Sequence, residues 1–403
     1  MNLLFYCDEY PPILNGGIGS VTKIVAEELA LRGHKVFVAG DYSKFNGDFP
    51  AYSRINDVHI YRFREEDYTG IFLKIYKMLR KLRGGFSYKI TRQKYYDTEI
   101  LIERLVKEHK IQLVELPDFQ RDILDYLKMP IKYKKTFSVP LVIRLHGSWS
   151  AILYYMKKAI PDYMLENDRR HIARADYICG VSENATWYVK KFLLSDRKYD
   201  VIYNPIEKNL FVSDVDIAYP KAKRILFFGK IDKRKGAYEL AKAFNIVAKV
   251  LPEAELVFVG YGETVQVKDV VEEQYHDRVF FKGFMDRAKL MTEIDDAFVC
   301  VLPSYFEAFS MAALEIMARE RLLIYSNINS GSELIDDGET GWLIHPDNHQ
   351  QIADRIIESF KNQRKAAQIA RAGYEKCKTL FSVEEIIPQL ETYYQDIINK
   401  SKQ

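Results

Sequence analysis

The segment RILFFGKIDKRKGAYELAKAF, residues 224–244, joins a strand pattern, a loop and a helix pattern in one short stretch. The run RILFF is apolar on both faces, which is typical of a parallel strand covered by helices. Gly229 and Gly236 bound a basic loop, and after this loop the apolar residues recur at helical spacing. A buried strand, a loop and a helix in this order form the repeating unit of a doubly wound α/β sheet.

The same alternation of short apolar runs and helical patterns extends over most of the chain, in two series. It predicts an α/β fold with two Rossmann-like domains that face each other around a central cleft, because doubly wound sheets bind ligands at the carboxyl ends of their strands. The predicted strands are NLLFYC (2–7), KVFVAG (35–40), QLVEL (112–116), PLVIRLHG (140–147) and YICGVS (177–182), then RILFFGK (224–230), AELVFVG (254–260), RVFFKGF (278–284), AFVCVLP (297–303) and RLLIYS (321–326).

The stretch between the two series, residues 204–222, carries two prolines and no periodicity, and it predicts the linker. We therefore expect one domain over residues 1–205 and a second over residues 206–381. The tail, residues 382–403, has a helical pattern in which Pro388 is expected to cause a kink. We expect this helix to pack back on the first domain.

The composition of the 403-residue chain indicates a globular protein with a large core. Hydrophobic residues make up 48% and charged residues 29%, and the net charge is only +3. There is no apolar run long enough to span a membrane, and the start MNLLFYCDEY lacks the features of a secretory signal, so we expect a cytoplasmic protein. The four cysteines lie far apart and mostly within apolar runs, which favours reduced core residues.

The first motif with chemical meaning is a glycine pair, Gly16 and Gly17, between the first predicted strand and a helix that ends near Gly33. Glycines let a ligand approach the backbone closely, and a helix N-terminus favours an anion. The GxGxxG fingerprint of a nicotinamide site is absent. The alternative is a turn that serves only chain geometry.

A second motif is the basic loop with Lys230 and Lys235, which follows a strand and precedes a helix. Two ammonium groups there can neutralise a diphosphate without a metal. The alternative is a solvated basic loop.

The third motif is LPSYFEAFSMAALEIMA at 302–318, which places Glu307 in a loop and Glu315 in the second turn of the following helix. Ser310 is the predicted N-cap. At about 1.5 Å of rise per residue, Glu315 lies roughly 6–8 Å along the helix from its N-terminus. A diphosphate held at this N-terminus would have one carboxylate on its sugar side and one on its ribose side, and carboxylates accept hydrogen bonds from vicinal hydroxyls.

Together these motifs resemble the retaining glycosyltransferases of the GT-B fold, family 4. The matching patterns are the glycine pair, G-K-x4-K-G at 229–236 and E-x7-E at 307–315. Further similar pieces are HG at 146–147, YNPIE at 203–207, VGYGE at 259–263 and GSELIDDGETGWLI at 331–344. The resemblance covers nearly the whole chain. It implies that the first domain binds the acceptor and that the second binds a nucleotide sugar.

The resemblance also implies roles for single residues. Lys230 and Lys235 would bind the donor diphosphate and stabilise it as the leaving group, Glu307 would bind the hydroxyls of the sugar, and His146 would lie near the sugar and the acceptor. Lys230 replaces the arginine usual in the family, and Ala308 and Ser310 replace the more common glycines. Glu333 matches a position near the domain contact. Further donor contacts are implied for Gly16, Gly17, Phe284, Met285, Phe309, Ser310, Met311 and Glu315.

The resemblance implies transfer of a hexose-type sugar from UDP, or alternatively from GDP, to a hydroxyl of a glycan or a lipid-linked acceptor in envelope or surface polysaccharide synthesis. It implies front-side displacement, and no metal or other cofactor is expected. The DVD at 214–216 resembles a metal-binding motif but lies in the predicted linker. The alternatives are a nucleotide-sugar epimerase or a phosphorylase of the same architecture, and a catalytically silent sugar-nucleotide-binding or glycan-binding subunit.

Residues 71–96 contain eight basic residues and no acidic ones, with apolar residues at helical spacing beside them. This pattern indicates a helix on an anionic membrane surface, so we expect peripheral contact with the inner face of the membrane. No nucleic-acid-binding motif accompanies it, and no nucleic-acid partner is expected. The alternative is a solvated helix that packs on the first domain.

Overall fold

A computed structural model describes residues 1–12, 16–42, 49–64, 86–118, 135–212, 220 and 223–402, with only the backbone for residues 86–96. The chain divides into two compact units. The first unit comprises Met1–Pro205 and Ile386–Gln403, and the second comprises Ile206–Glu385. Residues 65–85, which include most of the basic stretch at 71–96, and the DVD at 214–216 lie outside the described residues.

An eight-stranded sheet with the order β3-β4-β2-β1-β5-β6-β7-β8 forms the centre of the first unit. Its pairings are parallel except for β3 with β4. The strands are β1 (Asn2–Tyr6), β2 (Lys35–Asp41), β3 (Tyr52–Ile55), β4 (Val58–Phe63), β5 (Leu113–Pro117), β6 (Leu141–Leu145), β7 (Tyr177–Gly180) and β8 (Asp200–Val201). The helices described in this unit are α1 (Gly17–Leu31), α2 (Phe86–His109), α3 (Trp149–Tyr155), α4 (Asp162–Ala173) and α5 (Glu183–Phe192).

Six parallel strands in the order β11-β10-β9-β12-β13-β14 form the sheet of the second unit. The strands are β9 (Arg224–Phe228), β10 (Glu255–Val259), β11 (Val279–Phe281), β12 (Val299–Leu302), β13 (Leu322–Ser326) and β14 (Trp342–Ile344). The helices are α6 (Ala237–Val250), α7 (Thr264–Lys268), α8 (Arg287–Asp296), α9 (Met311–Ala318), α10 (Gly331–Leu334), α11 (His349–Lys361) and α12 (Gln363–Phe381), and α13 (Val383–Lys400) begins here. Short 3-10 turns cover Lys208–Leu210 and Glu273–Arg278.

The central strands of both sheets are largely buried. Strands β6, β12 and β13 are buried at every residue. Their apolar runs therefore reflect helices on both faces of a parallel sheet, as predicted. All four cysteines are free and buried, also as predicted, and burial raises their thiol pKa values.

Each sheet has one strand at which the chain order reverses. In the first sheet β1 lies between β2 and β5, and in the second β9 lies between β10 and β12. Ligands of doubly wound sheets bind in the crevice outside the carboxyl end of such a strand. The glycine pair follows β1 and the basic loop follows β9, so both predicted motifs lie at a switch point of their own unit.

Helix α13 carries the chain back from the second unit into the first. The crossing lies between Glu385 and Ile386, inside the helix, and the helix continues through Pro388. Within the first unit, the Tyr394 hydroxyl donates a hydrogen bond of 2.6 Å to the buried carboxylate of Glu115. Glu391 accepts bonds from Arg32 and His34 at the end of α1. The last turns of the chain therefore form part of the first unit.

Candidate active site

Glycines at the carboxyl ends of three adjacent strands bring loop backbones close together in the second unit. Gly229, Gly260 and Gly283 follow β9, β10 and β11, and all three have positive φ angles. The Gly260 amide donates to the Gly283 carbonyl at 2.8 Å. A Cβ atom at Gly260 would lie 1.9 Å from the Gly229 carbonyl oxygen. Only glycine fits there, and the three strand ends therefore form one close-packed edge.

The predicted basic loop starts on this edge and leads into α6. Lys230 is 52% exposed, and its ammonium lies 3.5 Å from a carboxylate oxygen of Asp232. The other carboxylate oxygen of Asp232 accepts a 2.9 Å bond from the Lys235 amide. Gly236 then adopts the left-handed conformation, with φ +77°, as the N-cap of α6. Asp232 thus organises a loop that presents one exposed and one less exposed ammonium group.

Lys235 forms an ion pair with Glu307, the carboxylate predicted to bind the sugar. The two residues are 72 positions apart, and their side chains are 22% and 17% exposed. The same Glu307 oxygen accepts a 3.3 Å bond from the Ser304 hydroxyl. The structure therefore unites two separately predicted motifs in one polar cluster. Burial of this cluster is partial, so a ligand can reach both charges.

Helix α9 begins at Met311, four residues after Glu307. Ser310 is its N-cap, as predicted, and the Ser310 hydroxyl accepts a 3.3 Å bond from the Ala313 amide. Phe309 is buried and packs edge-on against Phe381 at 5.3 Å between ring centroids. The backbone amides of the first turn of a helix, here beginning at Met311, attract anions. This helix start, together with Lys230 and Lys235, can hold a dianionic group without a metal.

Glu315 is in the second turn of α9, as predicted, but it already has a cationic partner. Its carboxylate accepts a 3.0 Å bond from Arg287, whose other terminal nitrogen lies 2.7 Å from Glu207. Burial raises the pKa of Glu315, and the Arg287 charge opposes that rise. Sequence reasoning missed Arg287, since nothing in its surroundings, MDRAKL, distinguishes it from an ordinary helix-start residue.

The other two predicted donor contacts in this unit lie in the loop after β11. Phe284 is strongly exposed and Met285 is partly exposed. Both precede Asp286, the N-cap of α8. Glu333, in the short helix α10, is partly exposed, and the preceding Ser330 hydroxyl donates to the Glu307 carbonyl at 3.4 Å.

In the first unit, the glycine pair lies at the start of α1. Gly16 is the N-cap, and a Cβ there would meet the Glu9 carboxylate at 2.4 Å. At Gly17, no described atom outside its chain neighbours and its own helix lies within 4 Å of the position of a Cβ. Contacts with the described residues therefore do not require glycine at residue 17.

His146 follows β6, and its turn is fixed by Asp118, which follows β5. The Asp118 carboxylate accepts bonds from the amides of His146 and Gly147 at 2.7 and 3.2 Å. Burial lowers the pKa of His146 to about 3, and the Arg144 charge adds to this effect. Burial raises the pKa of Asp118 to about 7, against its hydrogen bonds with these amides. His146 is thus a neutral imidazole on an anchored turn, and sequence reasoning missed Asp118.

Among the described residues, no group of three or more histidine, cysteine, aspartate or glutamate side chains is arranged to hold a metal ion. No described helix is both long and apolar enough to cross a bilayer.

Solved structures of known glycosyltransferases share this architecture over nearly the whole chain. Sucrose-phosphate synthase from Thermosynechococcus elongatus has a TM-score of 0.76 at 18% identity, covering 99% of each chain. Anabaena HepE in complex with UDP and glucose has a TM-score of 0.65 at 18% identity, covering 98% of this chain and 99% of that one. The fold is therefore that of the GT-B glycosyltransferases.

Sequence comparison narrows this class. The family model described as glycosyltransferase family 4 matches residues 15–210, and that described as glycosyl transferases group 1 matches residues 214–376. A similar relative is N-acetyl-alpha-D-glucosaminyl L-malate synthase from Bacillus anthracis, 26% identical over 66% of this chain and 70% of its own. Another is the capsular polysaccharide biosynthesis glycosyltransferase CapM from Staphylococcus aureus, 24% identical over 53% of each. The chain belongs to the family 4 glycosyltransferases and is an enzyme of the transferase class.

Proposed function

We propose that this glycosyltransferase moves a hexose-type sugar from a nucleotide sugar to a hydroxyl group, with retention at the anomeric carbon and without a metal. The observation that carries the proposal is the ion pair between Lys235 and Glu307. This ion pair brings together the residue proposed to bind the diphosphate and the residue proposed to bind the sugar. Both lie near the first turn of α9 and near the switch-point strand β9.

In this proposal, the donor diphosphate lies between the ammonium groups of Lys230 and Lys235 and the amides at the start of α9. Phe309, Ser310 and Met311 offer these amides. Glu307 accepts hydrogen bonds from sugar hydroxyls, and while doing so it keeps Lys235 oriented toward the phosphates. Ion-paired carboxylates remain able to accept further bonds, because each oxygen has more than one lone pair.

Glu315 is proposed to bind the ribose. The bond from Arg287 uses one of its oxygens, which leaves the second oxygen for ribose hydroxyls. The Arg287 charge opposes the rise in the pKa of Glu315 that burial causes, and so favours the charged carboxylate, which is the stronger hydrogen-bond acceptor. The base is proposed to lie by the backbone of Phe284 and Met285.

The proposed reaction is a front-side displacement. The bond between the anomeric carbon and the diphosphate oxygen breaks, and the acceptor oxygen forms its bond on the same face of the sugar. The acceptor proton passes to the departing diphosphate, whose negative charge grows as the bond breaks. Lys230, Lys235 and the start of α9 stabilise that charge, and preorganised charges of this kind are a large term in catalysis.

UDP is the favoured carrier in this proposal and GDP is the alternative. Among structures of this fold, Anabaena HepE has been solved with UDP-glucose. The acceptor is proposed to be a glycan or lipid-linked hydroxyl near the neutral His146, with Gly16 and Gly17 close to the donor phosphate. The named activity of CapM, in capsular polysaccharide biosynthesis, supports a role in envelope or surface polysaccharide synthesis. The proposal includes a cytoplasmic location and contact with an anionic membrane through residues 71–96.

The proposal is tested by measuring the thermal shift that UDP, GDP and ADP and their sugars cause in the parent chain, Glu307→Ala and Lys235→Ala. Lys233→Ala is the matched control, because Lys233 is an exposed lysine of the same loop. We expect one carrier to stabilise the parent and the control, and both site variants to lose most of this shift and their turnover. Full donor affinity and turnover in both site variants would refute the site.

The same panel separates the alternative functions when it is combined with product analysis. An epimerase would interconvert donor sugars with no acceptor present. A silent binding subunit would show the thermal shift but no turnover with any acceptor mixture. The proposed transferase releases the nucleoside diphosphate at an appreciable rate only when an acceptor hydroxyl is supplied.

A further inference from the structure

A cluster of aromatic side chains lies on the first unit, on helices α3 and α5. The rings of Tyr154 and Trp187 are 6.3 Å apart between centroids, and those of Tyr154 and Phe192 are 4.8 Å apart. Tyr188 fills the space beneath and is buried. Trp187 is nevertheless 42% exposed and Phe192 39% exposed. The inner part of the cluster belongs to the core, and its outer part contacts solvent.

One lysine lies over the exposed aromatic rings, and three more exposed lysines follow closely in sequence on the same two helices or just after them. The Lys191 ammonium lies 4.6 Å from the Trp187 ring centroid and 5.2 Å from that of Phe192. Lys190 is exposed beside it in the last turn of α5. Lys157 and Lys158 are exposed just after the end of α3, three and four residues beyond Tyr154. Glu183, the acidic residue of α5, lies at the opposite end of that helix.

The exposure of Trp187 is unusual within this chain. Of the three tryptophans, Trp342 is buried between the side chains of Arg355 and Lys365, and Trp149 is partly buried. An exposed indole and an exposed phenyl ring with a lysine ammonium over them form the type of surface that enters the headgroup region of an anionic membrane. The indole and phenyl rings enter the interface, while the lysines reach lipid phosphates.

A soluble sugar is the competing ligand for exposed aromatic rings, and the ring geometry disfavours it. The planes of Trp187 and Phe192 are inclined at 88° to each other, with centroids 6.0 Å apart. They therefore share no flat face on which a pyranose ring could stack. The Lys191 ammonium also lies over one face of the indole ring, 4.6 Å from its centroid, where a sugar would otherwise stack.

We propose that this surface binds anionic lipid bilayers, and we name it the Trp187 patch. Its members are Tyr154, Lys157, Lys158, Trp187, Lys190, Lys191 and Phe192. The patch holds four lysines, and an exposed lysine near an anionic bilayer contributes about fivefold to partitioning. The patch is separate in sequence from residues 71–96, and its binding requires neither donor nor acceptor. It therefore goes beyond the proposed function and can be tested apart from it.

The test uses the full chain and the emission of Trp187, with vesicles of phosphatidylcholine alone or mixed with phosphatidylglycerol. Flotation measures binding, and fluorescence measures the environment of the indole. We expect binding and a blue shift only with the mixed vesicles, and both should weaken as salt is raised. Lipids brominated near the headgroup should quench the shifted emission. The variant Trp187→Phe should remove the shift, which assigns the signal to this residue.

Charge variants test the lysines. The double variant Lys190→Ala with Lys191→Ala should bind mixed vesicles about 25-fold more weakly, from about fivefold for each lysine. The matched control replaces Lys107 and Lys289 by alanine, two strongly exposed lysines outside the patch. An unchanged thermal melt of each variant shows that folding is intact.

Three outcomes would overturn the proposal. The first is no flotation with either vesicle. The second is flotation with no change in Trp187 emission, which would assign membrane binding to another surface such as residues 71–96 and leave that part of the proposed function standing. The third is a Trp187 shift caused by soluble glycans rather than by lipid. None of these three outcomes affects the activity test on the Glu307 and Lys235 variants. A failure of the membrane proposal can therefore be told apart from a failure of the proposed function.

Discussion

Lys230 and Lys235 are proposed to bind the same diphosphate, yet the structure predicts different consequences for their replacement by methionine. Lys235 is ion-paired with Glu307 in a polar cluster that is mostly shielded from solvent. Lys230 is half exposed, and its carboxylate partner, Asp232, is also held by the amide of Lys235. Lys230→Met therefore removes only a solvated charge, whereas Lys235→Met leaves Glu307 without its cation.

The expected magnitudes follow from this burial. Lys230→Met should change the free energy of unfolding by no more than about 0.5 kcal/mol, as is usual for exposed ion pairs. Lys235→Met should lower it by about 1–2 kcal/mol, a value below that of a fully buried pair because both side chains retain some exposure. For the donor, each lost charge-assisted contact is worth about 1.5–3 kcal/mol, which corresponds to roughly 10- to 150-fold in Kd for either variant.

Urea unfolding without ligand and calorimetric titration with the nucleoside diphosphate measure the two effects separately. Adding Glu307→Gln to Lys235→Met should recover part of the lost stability, because the uncompensated charge is removed, but should not recover donor affinity. Nucleoside diphosphate affinity within twofold of the parent in Lys230→Met would refute contact between Lys230 and the diphosphate. Equal stability of the Lys235→Met variant and the parent would refute the stabilising role of the ion pair.

Three further predictions concern backbone geometry and protonation. Gly260→Ala should lower the free energy of unfolding by more than about 3 kcal/mol, because backbone strain at positive φ, about 1–2 kcal/mol, adds to a collision with the Gly229 carbonyl. The control is Gly33→Ala, since Gly33 also has a positive φ but no described atom near the position of a Cβ. The difference between the two variants in denaturant titration gives the cost of the collision. Burial raises the pKa of Asp118 from its ordinary value of 3.8 to about 7, so between these pH values the folded state keeps a proton that the unfolded chain releases. The free energy of unfolding should therefore fall as the pH rises from 3.8 to about 7. In Asp118→Asn, unfolding measured across this pH range should lack that slope. With a pKa of about 3, His146 is neutral from pH 5 to pH 8, so the profile of kcat/KM should contain no step that disappears in His146→Gln.

Each of these three has a result that would count against it. Equal losses for the two glycine variants would mean that backbone strain alone explains the cost at Gly260. Persistence of the pH slope in Asp118→Asn would assign it to other groups. A step near pH 6.5 that vanishes in His146→Gln would show that His146 titrates in the working enzyme.

The sequence was a good guide to the buried centre of each sheet and a poor one to its edges. Central strands such as β13 appear as continuous apolar runs because both faces are covered, and the predicted run at 321–326 differs from the strand by one residue. Strands β3, β4, β8 and β14 were missed, and all of them except β4 lie at an edge of their sheet. In β4, VHIYRF, buried and partly exposed residues alternate, and β8 has only two residues. Strands at or beside a sheet edge need no continuous apolar run, so they lack the signal on which the prediction depended.

Local features of the site were also predictable, whereas its long-range contacts were not. Ser310 as N-cap and the position of Glu315 in the second turn follow from short-range patterns, and both are confirmed. The contact of Lys235 with Glu307 spans 72 residues, and the bond from Arg287 to Glu315 spans 28. Such contacts depend on which strands are neighbours in the sheet, and local periodicity in the sequence does not predict strand order. The same reason explains why Asp118 was not recognised beneath His146.

The chain passes between the two units twice, after Pro205 and after Glu385, and these two positions determine where chimaeric enzymes can be joined. Ile206 and Val383, near the two ends of the second unit, lie side by side. The Ile206 amide donates to Phe381 at 2.8 Å, and the Val383 amide donates to Ile206 at 3.2 Å. In chain order, the second unit is thus an insertion with adjoining ends, and both chain termini belong to the first unit. Residues 206–385 accordingly form a natural cassette. Chimaeras with other family members should be joined at these two points. The second unit of the other enzyme then brings both of its own hydrogen-bonded ends, and the hydrogen bond between Tyr394 and Glu115 in the first unit is kept.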